Sequence, residues 1–268
     1  MTPNTAVPYF VVDAFTDRPF AGNPAAVCLL PAWRDDAWLH AVAAEMNLSE
    51  TAYLVRRDRV FELRWFTPAV EVDLCGHATL ASACVLWREG WAGGDAEIRF
   101  STRSGILTAA QRAGRIELDF PLTPEQPTEA PAHLIESLGA PAKYVGRNQF
   151  DYLVELDSAA TVRRLSPDFT RLAAVGGRGV IVTARSDDPQ FDFVSRFFAP
   201  ASGIAEDPVT GSAHCCLADF WRQRLGKTQF VAYQASARGG IVHVRIEGDR
   251  VSLGGQAVVV ARGELLAG

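Results

Sequence analysis

At 268 residues with 48% hydrophobic side chains, the chain is long enough for one large domain or two modest ones around a substantial core. Its net charge of −5 comes from 31 acidic and 26 basic residues spread along the sequence, without the Lys/Arg run a phosphate backbone demands, so nucleic acid is not an expected partner. No apolar run approaches the ~20 residues of a membrane-spanning helix, no secretory leader is legible, and five cysteines, with Cys215 and Cys216 adjacent, write neither a disulfide framework nor a CxxC motif, so a cytoplasmic protein with free thiols and no membrane partner is expected.

In chain order, β-branched and aromatic content predicts a strand over 7–14, then a surface helix over 35–47 with Trp38, Val42 and Met46 on one face. Strands follow over 51–56 and 60–66, an apolar helix over 77–88, and further strands over 98–101, 106–111 and 115–120. The stretch 121–131 carries Pro121, Pro124, Pro127 and Pro131 and reads as a linker. Beyond it, strands are predicted over 152–156, 179–183 and 191–198, a second apolar helix over 212–224, and strands over 240–246 and 250–253 joined by a Gly248-Asp249 turn. The predicted sheets are mostly antiparallel.

An internal duplication organises these elements. Arg64-Trp65-Phe66-Thr67-Pro68-Ala69 returns as Arg196-Phe197-Phe198-Ala199-Pro200-Ala201 at a shift of 132. Gly76-His77-Ala78 then matches Gly211-Ser212-Ala213, and Ser101 to Ile106 matches Ser236 to Ile241, both at a shift of 135. Both central helices are apolar or small on nearly every face of their first turns, so both must be buried all round. A strongly curved sheet wrapped about each helix satisfies that demand. The predicted architecture is therefore α+β, with two pseudo-symmetric lobes, each a curved, mostly antiparallel sheet or barrel around a central helix. The lobes are expected at 1–120 and 132–268, with the C-terminal strands free to cross back to the first.

The two helix starts, Gly76-His77 and Gly211-Ser212, are the natural places for chemistry. A helix N-terminus offers unpaired N–H groups and a positive dipole end to a carboxylate or a developing enolate, and the glycines allow close backbone approach. His77 can exchange a proton near neutral pH, Asp207 can orient such a group, and Ser212 can donate to a carboxylate. Each also has a plain reading: a hydrogen-bonded histidine, a carboxylate favourably placed at a helix start, a serine that caps. Arg103 and Arg238 are equivalent in the duplication and are either ligand contacts or structural pairs. Glu50, between a helix and a strand, reads from composition as a solvated loop residue.

Four strings change that reading of Glu50: Pro19-Phe20-Ala21-Gly22-Asn23-Pro24-Ala25-Ala26-Val27, Asn47-Leu48-Ser49-Glu50-Thr51-Ala52, Cys75-Gly76-His77-Ala78-Thr79 and Glu206-Asp207-Pro208-Val209-Thr210-Gly211-Ser212-Ala213-His214. Together they resemble the PhzF-like family of phenazine biosynthesis, in the family's order and across nearly the whole chain. The resemblance implies the two-lobed fold of diaminopimelate epimerase and a homodimer. It further implies a cofactor-independent, metal-free isomerase acting on a small carboxylated metabolite, cyclic forms included; in the phenazine enzyme itself that is a dihydro-hydroxyanthranilate. Glu50 becomes the acid/base that moves a proton between carbons, with His77, Asp207 and Ser212 as the other catalytic residues and Asn23, Cys75, Gly76 and Gly211 binding substrate. The related epimerases and racemases oppose two cysteines, one per helix start; here Cys75 has Thr210 as its duplicate, and threonine is no thiol base. An amino- or hydroxy-acid epimerase with another base pair and a non-catalytic small-molecule-binding protein are the alternatives.

Overall fold

The computed structural model of the chain describes residues 6–94 and 96–266. It divides into two units: residues up to Asp119 together with those from Gly254 onward, and Phe120–Leu253.

In the first unit β1 (Val7–Ala14) and β2 (Asn23–Leu30) precede α1 (Asp36–Met46). Helix α1 is delimited by side-chain chemistry. Asp35 caps its start by accepting from the Trp38 N–H, and Asn47 takes a left-handed conformation at φ 49° to close it, its N–H donating to the Ala43 carbonyl. Leu39, Val42 and Ala43 form its buried face. That early stop delivers the chain to β3 (Glu50–Arg57) with Glu50 as the first strand residue, followed by β4 (Val60–Phe66), β5 (Glu71–Val72), α2 (Gly76–Arg88), β6 (Ile98–Thr102), β7 (Gly105–Arg112) and β8 (Arg115–Pro121). The second unit holds β9 (Gln126–Pro127), α3 (Leu134–Leu138), β10 (Tyr144–Arg147), β11 (Asp151–Glu155), α4 (Ala159–Arg164), α5 (Phe169–Ala173), β12 (Gly179–Arg185), β13 (Phe193–Ala199), β14 (Ile204–Asp207), α6 (Gly211–Leu225), β15 (Gln229–Gln234), β16 (Gly240–Glu247) and β17 (Arg250–Gly255). The final strand, β18 (Ala257–Leu265), pairs antiparallel with β1 in the first unit. Residues 121–131, read from sequence as a linker, fall largely within the second unit, where β9 pairs with β10.

One order of strands is used twice. In the first unit β1 pairs antiparallel with β2, β2 parallel with β3, β3 antiparallel with β4, and β4 parallel with β6, which turns back into β7. In the second, β10 and β11, β11 and β12, β12 and β13, β13 and β15, and β15 and β16 repeat that sequence of antiparallel and parallel pairings step for step. The parallel pairs are central in each unit and carry the most continuous apolar strands, as strands covered on both faces must: β2 reads Asn-Pro-Ala-Ala-Val-Cys-Leu-Leu and β12 Gly-Val-Ile-Val-Thr-Ala-Arg.

The central helices are buried as their sequences require. In α2, residues His77 to Ala83, Val85 and Leu86 are all buried, and the helix packs on β1, β2, β3 and β18. In α6, Ala213 to Trp221 are buried; Trp221 stacks on Phe193 with centroids 5.4 Å apart and donates its indole N–H to Thr183 Oγ1 at 3.1 Å. A matching fork braces both units: Arg64 grips Glu71 through two bonds of 2.7 Å, and Arg196 grips Glu206 at 2.7 and 2.8 Å.

Candidate active site

The residues singled out from sequence fall into two groups, one per unit. In the first unit the pairing of β2 with β3 sets Glu50 beside Ala25, and α2 begins at Gly76 with Cys75 as its N-cap. Glu50, Cys75, His77 and Asn23 meet there. Glu50 Oε2 lies 3.0 Å from His77 Nε2, although the two atoms are not aligned as a linear hydrogen bond. On the other side of the ring, Asn23 Nδ2 is 3.1 Å from Nδ1 and Cys75 Sγ is 3.5 Å from it. Asn23 is fully buried, and the Glu50 side chain keeps 12% of its surface exposed. Cys75 makes no side-chain cap for α2, so the N–H groups of the first turn at Gly76 and His77 have no such acceptor.

The electrostatics favour a held proton. Burial alone pushes the His77 imidazole down, but Cys75 and Glu50 beside it outweigh burial and hold it well above the usual histidine range. Burial, with Glu50 adding to it, pushes the Cys75 thiol up to about 11. The Cys75 sulfur 3.5 Å from Nδ1 and the Glu50 carboxylate 3.0 Å from Nε2 thus act on the ring from its two sides. Among the described residues the donor atoms of Glu50, Cys75 and His77 approach within 4.8 Å of one another, close enough for a metal ion's ligands. A metal there would have to displace the thiol proton and any proton on the His77 nitrogen that it binds.

In the second unit Asp207 ends β14 and α6 starts at Gly211 with Thr210 as N-cap. Asp207 Oδ2 accepts from the Thr210 hydroxyl at 2.5 Å, and Gln234 ties the loop by donating to the Asp207 carbonyl at 2.7 Å and accepting from the Thr210 N–H at 2.9 Å. Ser212 Oγ accepts from Arg178 Nη2 at 2.9 Å, which leaves the hydroxyl hydrogen free to donate outward. Arg178 is itself forked onto the buried Asp151 at 2.9 and 2.5 Å.

The strand registers expose an asymmetry between the units. Thr51 pairs with Phe66, and Val180 pairs with Phe198, the duplicate of Phe66; the residue preceding each is Glu50 in the first unit and Gly179 in the second. The parallel pairings agree, Ala25 with Glu50 and Asp151 with Gly179. A Cβ at Gly179 would sit 2.4 Å from Phe197 Cζ and 2.9 Å from the Phe198 carbonyl oxygen. The second unit therefore has no room for a counterpart of Glu50.

The model of the family described as phenazine biosynthesis-like protein matches residues 12–263. The chain belongs to this phenazine biosynthesis-like family. A relative from Halalkalibacterium halodurans described as an uncharacterized isomerase is 55% identical over 260 residues, covering 97% of this chain and 98% of that protein. The crystal structure of a PhzF-family phenazine biosynthesis protein from Enterococcus faecalis matches with a TM-score of 0.93 at 41% identity, over 97% of this chain and 99% of that one. A hydroxyproline epimerase from Agrobacterium vitis, solved with bound trans-4-hydroxy-L-proline, shares the fold at a TM-score of 0.61 and 11% identity, over 99% of this chain and 94% of that one. This phenazine biosynthesis-like chain is an isomerase with the α+β architecture expected from its duplication.

Several residues that shape the site in this phenazine biosynthesis-like protein carried no sequence signal. Arg178, Asp151 and Gln234 reach Ser212 and Thr210 across long stretches of chain, and only the strand register shows that Arg178 immediately precedes the position equivalent to Glu50. Arg103, open to two readings from sequence, pairs with Glu71 at 2.8 Å. His214, the last residue of the fourth motif string, is structural. Its Nδ1 donates to the Thr210 carbonyl at 2.8 Å, as Thr79 Oγ1 does to the Cys75 carbonyl at 2.6 Å in the equivalent place, and its ring stacks on Phe193. Burial pushes His214 down from 6.5 to about 4. The unfolded chain takes up this proton near pH 6.5 and the folded one only near 4, so stability is lost as pH falls through that window. Urea unfolding between pH 7 and 4 is expected to show wild type losing about 3 kcal/mol more than His214→Gln; parallel losses in the two proteins would remove His214 from the account.

Proposed function

We propose that this isomerase moves a proton between carbons of a small carboxylated metabolite, cyclic forms included, without a cofactor, using Glu50 as the group that takes the proton and returns it. The observation that carries this reading is the Glu50 carboxylate 3.0 Å from His77 Nε2 at the uncapped start of α2. A carboxylate held beside a retained proton can accept one from carbon while the imidazolium steadies the charge that develops. The first-turn N–H groups of α2 suit a substrate carboxylate.

Racemisation by opposed bases is disfavoured by distance. Two bases in line across one carbon, each about 3–3.5 Å from it, stand roughly 6–7 Å apart, whereas the donor atoms of Glu50 and Cys75 come within 4.8 Å. At that separation the two atoms cannot stand in line on opposite faces of one carbon at such distances from it. The test is deuterium incorporation by NMR in D₂O, first with dihydro-hydroxyanthranilate and then with a panel of amino and hydroxy acids. Solvent label at a new carbon or a shifted double bond is the expected result; label only at an inverted stereocentre would mean an epimerase, and ligand binding without exchange by any compound at high protein concentration would mean a binding protein.

A further inference from the structure

We propose that Asn23 is the positioning residue of His77, its amide holding Nδ1 of the imidazole so that Nε2 stays turned toward Glu50. The inference rests on the reading of Glu50 and His77 as the acid/base pair. Asn23 opens β2 opposite Ala14 of β1 and is completely buried. It is delivered there by Gly22, whose φ of +64° belongs to the left-handed region and whose Cβ, if it had one, would lie 2.1 Å from the Ala14 carbonyl oxygen. The side-chain Nδ2 of Asn23 lies 3.1 Å from Nδ1 of the His77 ring.

The two nitrogens of an imidazole are coupled: the partner of one decides what the other does. An amide N–H donated to Nδ1 obliges the neutral ring to carry its proton on Nε2, facing the Glu50 oxygen 3.0 Å away. When the ring takes a second proton, the same amide turned over offers Oδ1 to the new Nδ1–H. A short carboxamide thus serves both protonation states with the ring unmoved. The thiol of Cys75, 3.5 Å from the same nitrogen, is a weak partner in either role. Asn23 therefore acts through His77 on the proton that Glu50 handles.

The test uses the full chain labelled with ¹⁵N. Ring resonances of its five histidines are recorded across pH, His77 being identified by its loss in His77→Gln. In Asn23→Asp, which accepts but cannot donate at Nδ1, both His77 nitrogens are expected to stay protonated to a pH roughly 1 unit higher or more. In Asn23→Leu the Nδ1 resonance is expected to move and deuterium exchange into substrate to fall tenfold or more at unchanged KM. A raised KM with the Nδ1 resonance in its wild-type place would make Asn23 a substrate contact, and unmoved resonances in both variants would make it packing alone; either overturns the proposal. Should Asn23→Leu fail to fold by circular dichroism, Asn23→Asp decides. The ring spectra need no substrate, so absence of exchange by wild type would defeat the Glu50 reading while leaving the Nδ1 result standing.

Discussion

Glu50→Gln is expected to lower proton exchange into substrate by roughly 10²–10⁴-fold, the range over which a positioned general base contributes, while ligand affinity holds. The substitution preserves shape, and the backbone pairing of residue 50 with Ala25 does not depend on its side chain, so the melting temperature should stay close to wild type. Its electrical consequence is a second readout. With the carboxylate gone, one of the contributions that oppose burial at His77 is lost, and the imidazole should titrate at lower pH than in wild type. Cys75→Ser, by contrast, removes a thiol that burial holds protonated, and exchange should remain within a few-fold of wild type. Reversed results, an active Glu50→Gln and a dead Cys75→Ser, would transfer the base to the cysteine.

The largest loss of stability is expected where the duplication invites a second base. Gly179→Glu would place the carboxylate at the position equivalent to Glu50, but its first side-chain carbon already collides with the Phe197 ring at 2.4 Å and the Phe198 carbonyl at 2.9 Å. Overpacking of this kind costs about 1–3 kcal/mol even for a methyl group, and a carboxylate forced among aromatic rings adds desolvation. We expect Gly179→Ala to lose about 1–3 kcal/mol by urea unfolding and Gly179→Glu to exceed it. A Gly179→Glu protein of wild-type stability, or one that racemises, would mean that the second unit can accept a base after all.

The repeat was legible because it lies in residues whose chemistry the fold uses twice: the Arg64 and Arg196 that grip Glu71 and Glu206, and the glycines that open two all-round apolar helices. Parallel pairing was not legible. An apolar run such as Asn23–Leu30 has no alternation to mark its faces, and it was read only as part of a motif. The site divided in the same way. His77, Asp207 and Ser212 stand at helix starts where chemistry is expected, whereas Glu50 reads from composition as a loop residue and is picked out only by its motif; in the fold the left-handed Asn47 ends α1 just before it and β3 begins on it. Asn23 was noticed for its motif and not for its contact, since a hydrogen bond spanning 54 residues has no local signature. The Arg178–Asp151 fork was missed for the same reason.

The return of β18 to β1 gives the two units different histories during synthesis. The second is a continuous stretch, Phe120–Leu253, all of it synthesised before the last strand. The first contains the earliest residues yet lacks a strand until β18 emerges, so β1 must wait with one hydrogen-bonding edge open. The first unit therefore cannot finish ahead of the second in the usual vectorial way, in which the N-terminal part is completed first. The Glu50–His77 pair belongs to the unit that needs the last-made strand, and a chain cut short before β18 would leave that unit with a bare strand edge ready to pair with a neighbour.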